Sequence, residues 1–217
     1  MKKISENTYQ ILLTDVNGNE QLFYSIFNVL NERLPGSYIV SANKDPIAIH
    51  FFSTSVKPLS YYCKKGLVDY YMAIKIICDL YKQNVFLGKY GYGFYCIDLN
   101  DIVVIDKSFF ICTNPRVVKE CRNGQLMFFS PFNRTAEHGF YSPEILKLQS
   151  IPEKVSHKCF YYSLGALAIY CLFGKKLGSV ENSSGSVLLK PISQTKLYWL
   201  ILKLIDSDCE RRSALII

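Results

Sequence analysis

The chain has 217 residues, 49% apolar and 20% charged, which excludes general disorder and is enough for one domain or two small lobes sharing an interface. Its 25 Lys and Arg against 18 Asp and Glu leave a formal charge of +7, a balance that favours acidic partners such as nucleic acid. The basic residues are scattered in pairs such as Lys64-Lys65, Lys175-Lys176 and Arg211-Arg212, so no basic arm is present.

Met1-Lys2-Lys3 carries the charge of a leader but no apolar stretch follows, so no secretory leader is expected. Residues 9–14 and 21–27 read as two strands, joined through a turn at Asn17-Gly18, a pair that supplies positive φ angles. A short helix fits 27–34. Residues 37–41 and 47–52 are further strands, separated by a turn at Asp45-Pro46, which makes 1–54 a small antiparallel sheet. From 55 to 217 the pattern becomes mainly helical, with a short helix at 58–63 and a central one at 67–82. Strands follow at 102–105 and 109–112, turning at Asp106-Lys107-Ser108, and 114–139 reads as loop. A buried helix is expected at 157–173, a flexible loop at 178–186, and a last helix at 196–205 capped by Ser193 or Thr195. The apolar runs near 67–81 and 160–173 are too short for a bilayer core of about 30 Å, so no membrane span is expected. Eight cysteines contain no C-x-x-C pair, several lie in apolar runs, and His50, His138 and His157 lack ligand spacing. Free thiols in a reducing, cytoplasmic setting and no zinc site are expected.

Phe140-Tyr141-Ser142-Pro143-Glu144 stands about 20 residues before the apolar stretch containing Tyr162-Ser163-Leu164-Gly165, and Cys209-Glu210-Arg211-Arg212 ends the last helical region. In this order and spacing the chain resembles a protein kinase trimmed at both ends. The resemblance implies an α+β, kinase-like fold with a reduced sheet lobe and a helical C-terminal lobe. It gives structural roles to Ser163 and Gly165 and pairs the carboxylate of Glu144 with Arg211, a match of charge and geometry that a guanidinium satisfies. Ser-Pro-Glu is also an ordinary helix start, with Pro in the first turn and Glu near the positive end.

The catalytic parts are missing at the positions the resemblance assigns. The expected glycine-rich turn is Asp15-Val16-Asn17-Gly18-Asn19-Glu20, with one glycine and two carboxylates. No strand lysine occurs between 27 and 52; Lys44 lies in a turn. Aligning Asn100-Asp101-Ile102-Val103-Val104 on the family's Glu-Asn-Ile-Leu-Leu puts Cys96 where the catalytic base belongs, and a thiol there is no substitute for a carboxylate. Asp101 takes the metal-binding Asn position, and a carboxylate there retains the capacity for Mg²⁺. Asp-Phe-Gly is replaced by Cys112-Thr113-Asn114, and Phe160 stands at the Asp that opens the buried helix. Gly88-Lys89-Tyr90-Gly91-Tyr92-Gly93 lacks the ending of a phosphate loop and reads as a helix-to-strand turn.

The expectation is therefore an inactive pseudokinase that binds another protein as a scaffold, with no cofactor, metal or catalytic residue. Tyr90, Tyr92, Tyr95, Phe128, Phe129 and Phe132 are candidate contact aromatics. Two alternatives stay open: an atypical Mg-dependent phosphotransferase using Asp98, Asp101 or Asp106, and a nucleic-acid-associated protein using the basic surface. The composition and reduced lobes are similar to degenerate kinase-like proteins of large cytoplasmic DNA viruses.

Overall fold

The structure, a computed structural model, describes residues 1–12, 19–34, 36–40, 48–132, 139–177 and 185–214. The expectations at Asn17-Gly18, Lys44, Asp45-Pro46, His138, most of the 178–186 loop and Leu215-Ile216-Ile217 fall outside them. The fold is mixed α+β, with small antiparallel sheets and seven helices among the described residues.

The first sheet contains β1 (Lys2–Ser5), β2 (Thr8–Leu12), β3 (Tyr38–Val40) and β4 (Ala48–Phe52) in the order β1-β2-β4-β3. Its first hairpin turns at Glu6-Asn7. Residues 21–27 are not a strand as expected but part of helix α1 (Asn19–Arg33). The aromatic and β-branched residues suggest a strand only in a short window. Over the longer span Leu22, Phe23, Ile26, Val29 and Leu30 follow the helical period, and all five are buried.

The second part opens with β5 (Val56–Pro58), α2 (Leu59–Lys64) and α3 (Tyr70–Lys89). Asp69 caps α3 by accepting a bond from the Met72 N–H at 2.7 Å, and the helix runs seven residues past the expected end at 82 because nothing breaks it before Gly91, at φ 76°. The glycine-rich run is thus the end of α3, a turn, and strand β6 (Tyr92–Phe94). There follow β7 (Ile97–Asp98), β8 (Ile102–Ile105), β9 (Phe109–Cys112), β10 (Val118–Arg122) and β11 (Gln125–Phe128). The last two occupy the region expected to be loop. Their two-residue turn is Asn123-Gly124, both at positive φ (49° and 75°), which is the geometry a tight hairpin needs.

Chain order continues with β12 (Gly139–Phe140), α4 (Pro143–Leu146), β13 (Glu153–Ser156), α5 (Cys159–Phe173), α6 (Gly185–Leu188) and α7 (Lys196–Leu204). Strands β5, β8 and β9 form one sheet, β13, β11, β10 and β6 another, and β7 pairs with β12. Helix α5 is apolar on every face and largely buried between α3 and α7. Thr195 caps α7, its hydroxyl accepting from the Tyr198 N–H at 3.2 Å. Gly165 of α5 lets α7 approach: a Cβ there would lie 3.0 Å from Leu204 Cβ and 3.6 Å from the Ile201 carbonyl oxygen. No helix among the described residues is long and apolar enough to cross a membrane.

The buried polar groups of α3 connect these layers. Asp79 Oδ2 accepts from the Phe110 N–H at 3.2 Å. Gln83 both donates to the Cys112 carbonyl and accepts from the Cys112 N–H, each at 2.8 Å. The spacing is commensurate: four residues of helix rise about 6 Å, and two residues of strand advance about 6.6 Å. Two side chains one turn apart therefore reach alternate backbone groups on the outer edge of β9. Asn84, next on the helix, accepts from the Phe94 N–H of β6 at 2.8 Å.

Burial pushes the Asp79 carboxyl up to about 6, against the opposing effects of the Phe110 N–H and of Arg33, which lies 3.5 Å away. The protonated form is the one the fold favours. Its contribution is full below the ordinary value of 3.8 and is lost as pH rises through about 6. The difference is of order 3 kcal/mol. Urea unfolding at a series of pH values is expected to show wild type losing roughly that much relative to Asp79→Asn between about pH 4 and pH 7; parallel curves would contradict the assignment.

Candidate functional site

The segment from Phe94 to Asp101 carries the positions that the sequence resemblance assigns to catalysis. Its backbone is held from several sides. The Phe94 N–H goes to Asn84, the Tyr95 N–H to the Val117 carbonyl at 3.0 Å, and the Ile97 N–H to Ser163 Oγ at 2.8 Å. Ser163 lies on α5 one turn after Phe160, whose ring is buried against Phe94 at a centroid distance of 5.5 Å. Support for the segment's backbone thus comes from a neutral hydroxyl, while the position expected for an aspartate fills core volume.

Cys96 lies between β6 and β7, 2% exposed, and burial pushes its thiol well above the ordinary range. It has no ionised form near neutral pH with which to accept a proton. Asp98 accepts from the Asn100 N–H at 2.9 Å and starts a 3-10 turn ending at Asp101. Asp101 Oδ2 accepts from Asn114 Nδ2 at 2.7 Å, and its carbonyl accepts from the Thr113 N–H at 3.0 Å. These bonds tie together the open ends of the β8–β9 hairpin. Burial raises the Asp101 carboxyl; Asn114 opposes this and the charge of Asp98 adds to it.

Asp106 sits at the opposite end of the hairpin, at φ 48°. Its Oδ1 accepts from Ser53 Oγ at 2.9 Å, from Thr54 Oγ1 at 2.7 Å and from the N–H groups of Thr54 and Ser55 at 2.8 and 3.1 Å. Burial acts to raise this carboxyl, but the four donors outweigh it and hold the group below its ordinary range. Asp106 therefore fastens the connector between the first sheet and the helical part. The four residues of β8 separate it from Asp101, five steps of about 3.3 Å or roughly 16 Å in all. Asp98 and Asp101 are neighbours; Asp106 cannot join them at one ion. Among the described residues no three His, Cys, Asp or Glu side chains cluster as metal ligands.

Glu144 is paired with Arg212, not with Arg211 as the resemblance implied. Both carboxylate oxygens accept from the two terminal nitrogens of Arg212, whose Nε donates to the Asp206 carbonyl at 2.7 Å. The Arg212 side chain is 0% exposed and lies over the Tyr162 ring, 5.1 Å from its centre. Arg211 is 75% exposed and reaches Asp208 at 3.3 Å. Residues 209–211 form a 3-10 turn capped by Asp208, so adjacent arginines leave it in different directions. Burial acts to raise the Glu144 carboxyl, and the Arg212 bonds outweigh it, holding the group below its ordinary value.

A shallow cleft between the first sheet and the body is lined by Lys2, Lys3, Tyr9, Val56, Lys57 and Val103, with a volume of about 290 Å³. Tyr9 stacks on Phe51 at 5.9 Å, with the Lys3 ammonium 5.9 Å from the Tyr9 ring. The six candidate contact aromatics do not form one surface. Tyr95 and Phe128 are buried, and Phe132 packs on both at 5.1 Å. Tyr92 is half-buried, Tyr90 stacks on Tyr24 at 6.1 Å, and Phe129 stands exposed. Trp199 on α7, not singled out from sequence, is 63% exposed while Leu197, Ile201 and Leu204 of the same helix are buried.

No protein-family model matches the chain, and no curated protein matches it.

The Glu144–Arg212 pair predicts a sharp contrast between neighbours. Arg212→Met, which leaves the Glu144 carboxylate without its partner, is expected to cost about 3–5 kcal/mol in urea unfolding. Arg211→Met is expected to stay within about 0.5 kcal/mol of wild type. Equal losses would contradict the assignment.

Proposed function

We propose that the chain is a catalytically inactive, protein-kinase-like module that acts by binding another protein. One observation carries the loss of chemistry: Cys96, at the position of the catalytic base, is a buried thiol with its ionisation suppressed. The surroundings agree with that reading. The Asp101 carboxylate is engaged by Asn114, and the cleft above Val103 lies at the small end of ligand pockets. Two features favour the kinase-like architecture itself: the pairing of half-buried Glu144, after Ser-Pro, with the buried Arg212 guanidinium, and α5 held to the Phe94–Asp98 backbone by Ser163. Trp199, presented on a helix whose opposite face is anchored in the core, is the kind of rigid aromatic on which protein contacts concentrate.

A second reading, an atypical phosphotransferase, draws on one observation, the adjacent carboxylates of Asp98 and Asp101. Thermal unfolding with ATP, alone and with Mg²⁺ or Mn²⁺, separates the two. A ligand at about 100 times its Kd adds roughly 2.7 kcal/mol to the stability of a state it binds exclusively. The inactive module is expected to show no shift in any condition. A metal-dependent shift that disappears in Asp101→Asn would overturn it in favour of the second reading.

A further inference from the structure

Cys63 on α2 and Cys171 near the end of α5 are 108 residues apart in sequence, yet their sulfurs lie 3.6 Å from each other. They share a cavity of about 310 Å³ with Ser60, Val68, Leu99 and Asn100. Cys171 is buried; Cys63 is half-buried, so a small solute that enters the cavity meets it first. Of the eight cysteines, only these two bring sulfur against sulfur among the described residues. A disulfide needs its sulfurs about 2.05 Å apart, so bonding requires them to close by about 1.5 Å. We propose that Cys63 and Cys171 form a peroxide-reactive dithiol, an oxidative modification site that closes to an intrachain disulfide and locks α2 to α5.

The two thiols are not equivalent. Either sulfur can donate across the contact; with Cys171 S–H as donor the bond holds the Cys63 thiol below its ordinary range, although burial opposes this, while the same bond and burial keep Cys171 protonated. Cys63 is thus the attacking thiolate and Cys171 the resolving group. The Cys63 sulfur takes an oxygen from a hydroperoxide, the O–O bond breaks, and the released hydroxide (or alkoxide) is protonated. Cys171 then gives up its proton, its sulfur displaces hydroxide from the Cys63 sulfenic acid, and the S–S bond forms with loss of water. Two thiols supply the two electrons that reduce one peroxide. Leu99 and Asn100 of the 3-10 turn between Asp98 and Asp101 line the same cavity, so the cross-link would clamp the helices around that turn. The dithiol follows from the sulfur contact and is independent of the kinase-like reading.

The test uses the full chain, treated with hydrogen peroxide and then with an alkylating agent, and mapped by mass spectrometry without reduction. A 63–171 linked peptide is expected as the dominant product, lost on treatment with dithiothreitol, with the other cysteines still alkylated. In Cys171→Ser, Cys63 is expected to stall as a sulfenic acid that dimedone traps. The proposal is overturned if other cysteines oxidise first in the wild-type chain, if disulfides form between chains, or if Cys63 passes to sulfinic acid while Cys171 remains alkylatable. The wild-type map decides between these outcomes even if the variant fails to fold.

Discussion

An edge strand whose backbone groups face a helix has no ladder to join, and the central constraint in this protein is how α3 meets that need. Asp79 and Gln83 supply acceptors and a donor at the pitch of β9, and Asn84 supplies an acceptor to β6. A buried N–H or C=O left unpaired costs about 1–3 kcal/mol, so these bonds strongly favour one register of helix on strand. Once β9 is set against α3, the β8–β9 hairpin is set with it. Asp101 and Asn114 close one end, and Asp106 at the other end reaches back to the connector from the first sheet.

The same principle extends to the segment before the hairpin. Its backbone rests on Asn84, on the carbonyl of Val117 and on Ser163, none of them charged. Within this segment Cys96 is a buried thiol, and the neighbouring carboxylates of Asp98 and Asp101 accept from a backbone N–H and from an amide. Charge is used where it fastens distant segments. Glu144 and Arg212 join the turn after Ser142-Pro143 to the end of the described chain, and the guanidinium also takes the Asp206 carbonyl. The use of ionic bonds to anchor distant segments is the physical content of the proposed scaffold.

Helices α5 and α7 and the β8–β9 hairpin are legible in the sequence because continuous or periodic apolar residues mark them, with Asp106-Lys107-Ser108 as a turn between the strands. Helix α1 is not, since Phe23, Tyr24 and Ile26 favour a strand locally and only the longer spacing to Val29 and Leu30 reveals the helix. The β10–β11 hairpin carries a usable signal in Asn123-Gly124, hidden among nearby prolines and glycines. Nothing local distinguishes Arg212 from Arg211; the choice depends on the direction in which a 3-10 turn leaves Asp208. The partners of Asp79 and Gln83 lie about 30 residues away, and the Cys63–Cys171 contact spans 108, so both arise from packing that no motif encodes.

Buried side chains thus lock the backbone of the Phe94–Asp101 segment and of β9, and amide hydrogen exchange resolved by residue reads that locking directly. The Phe94, Ile97, Phe110 and Cys112 N–H groups are expected to exchange only through global unfolding, and Gln83→Leu is expected to release Cys112 well ahead of Ile97. Exchange of these four amides at the rate of surface loops in the wild-type chain would show that the locking does not exist.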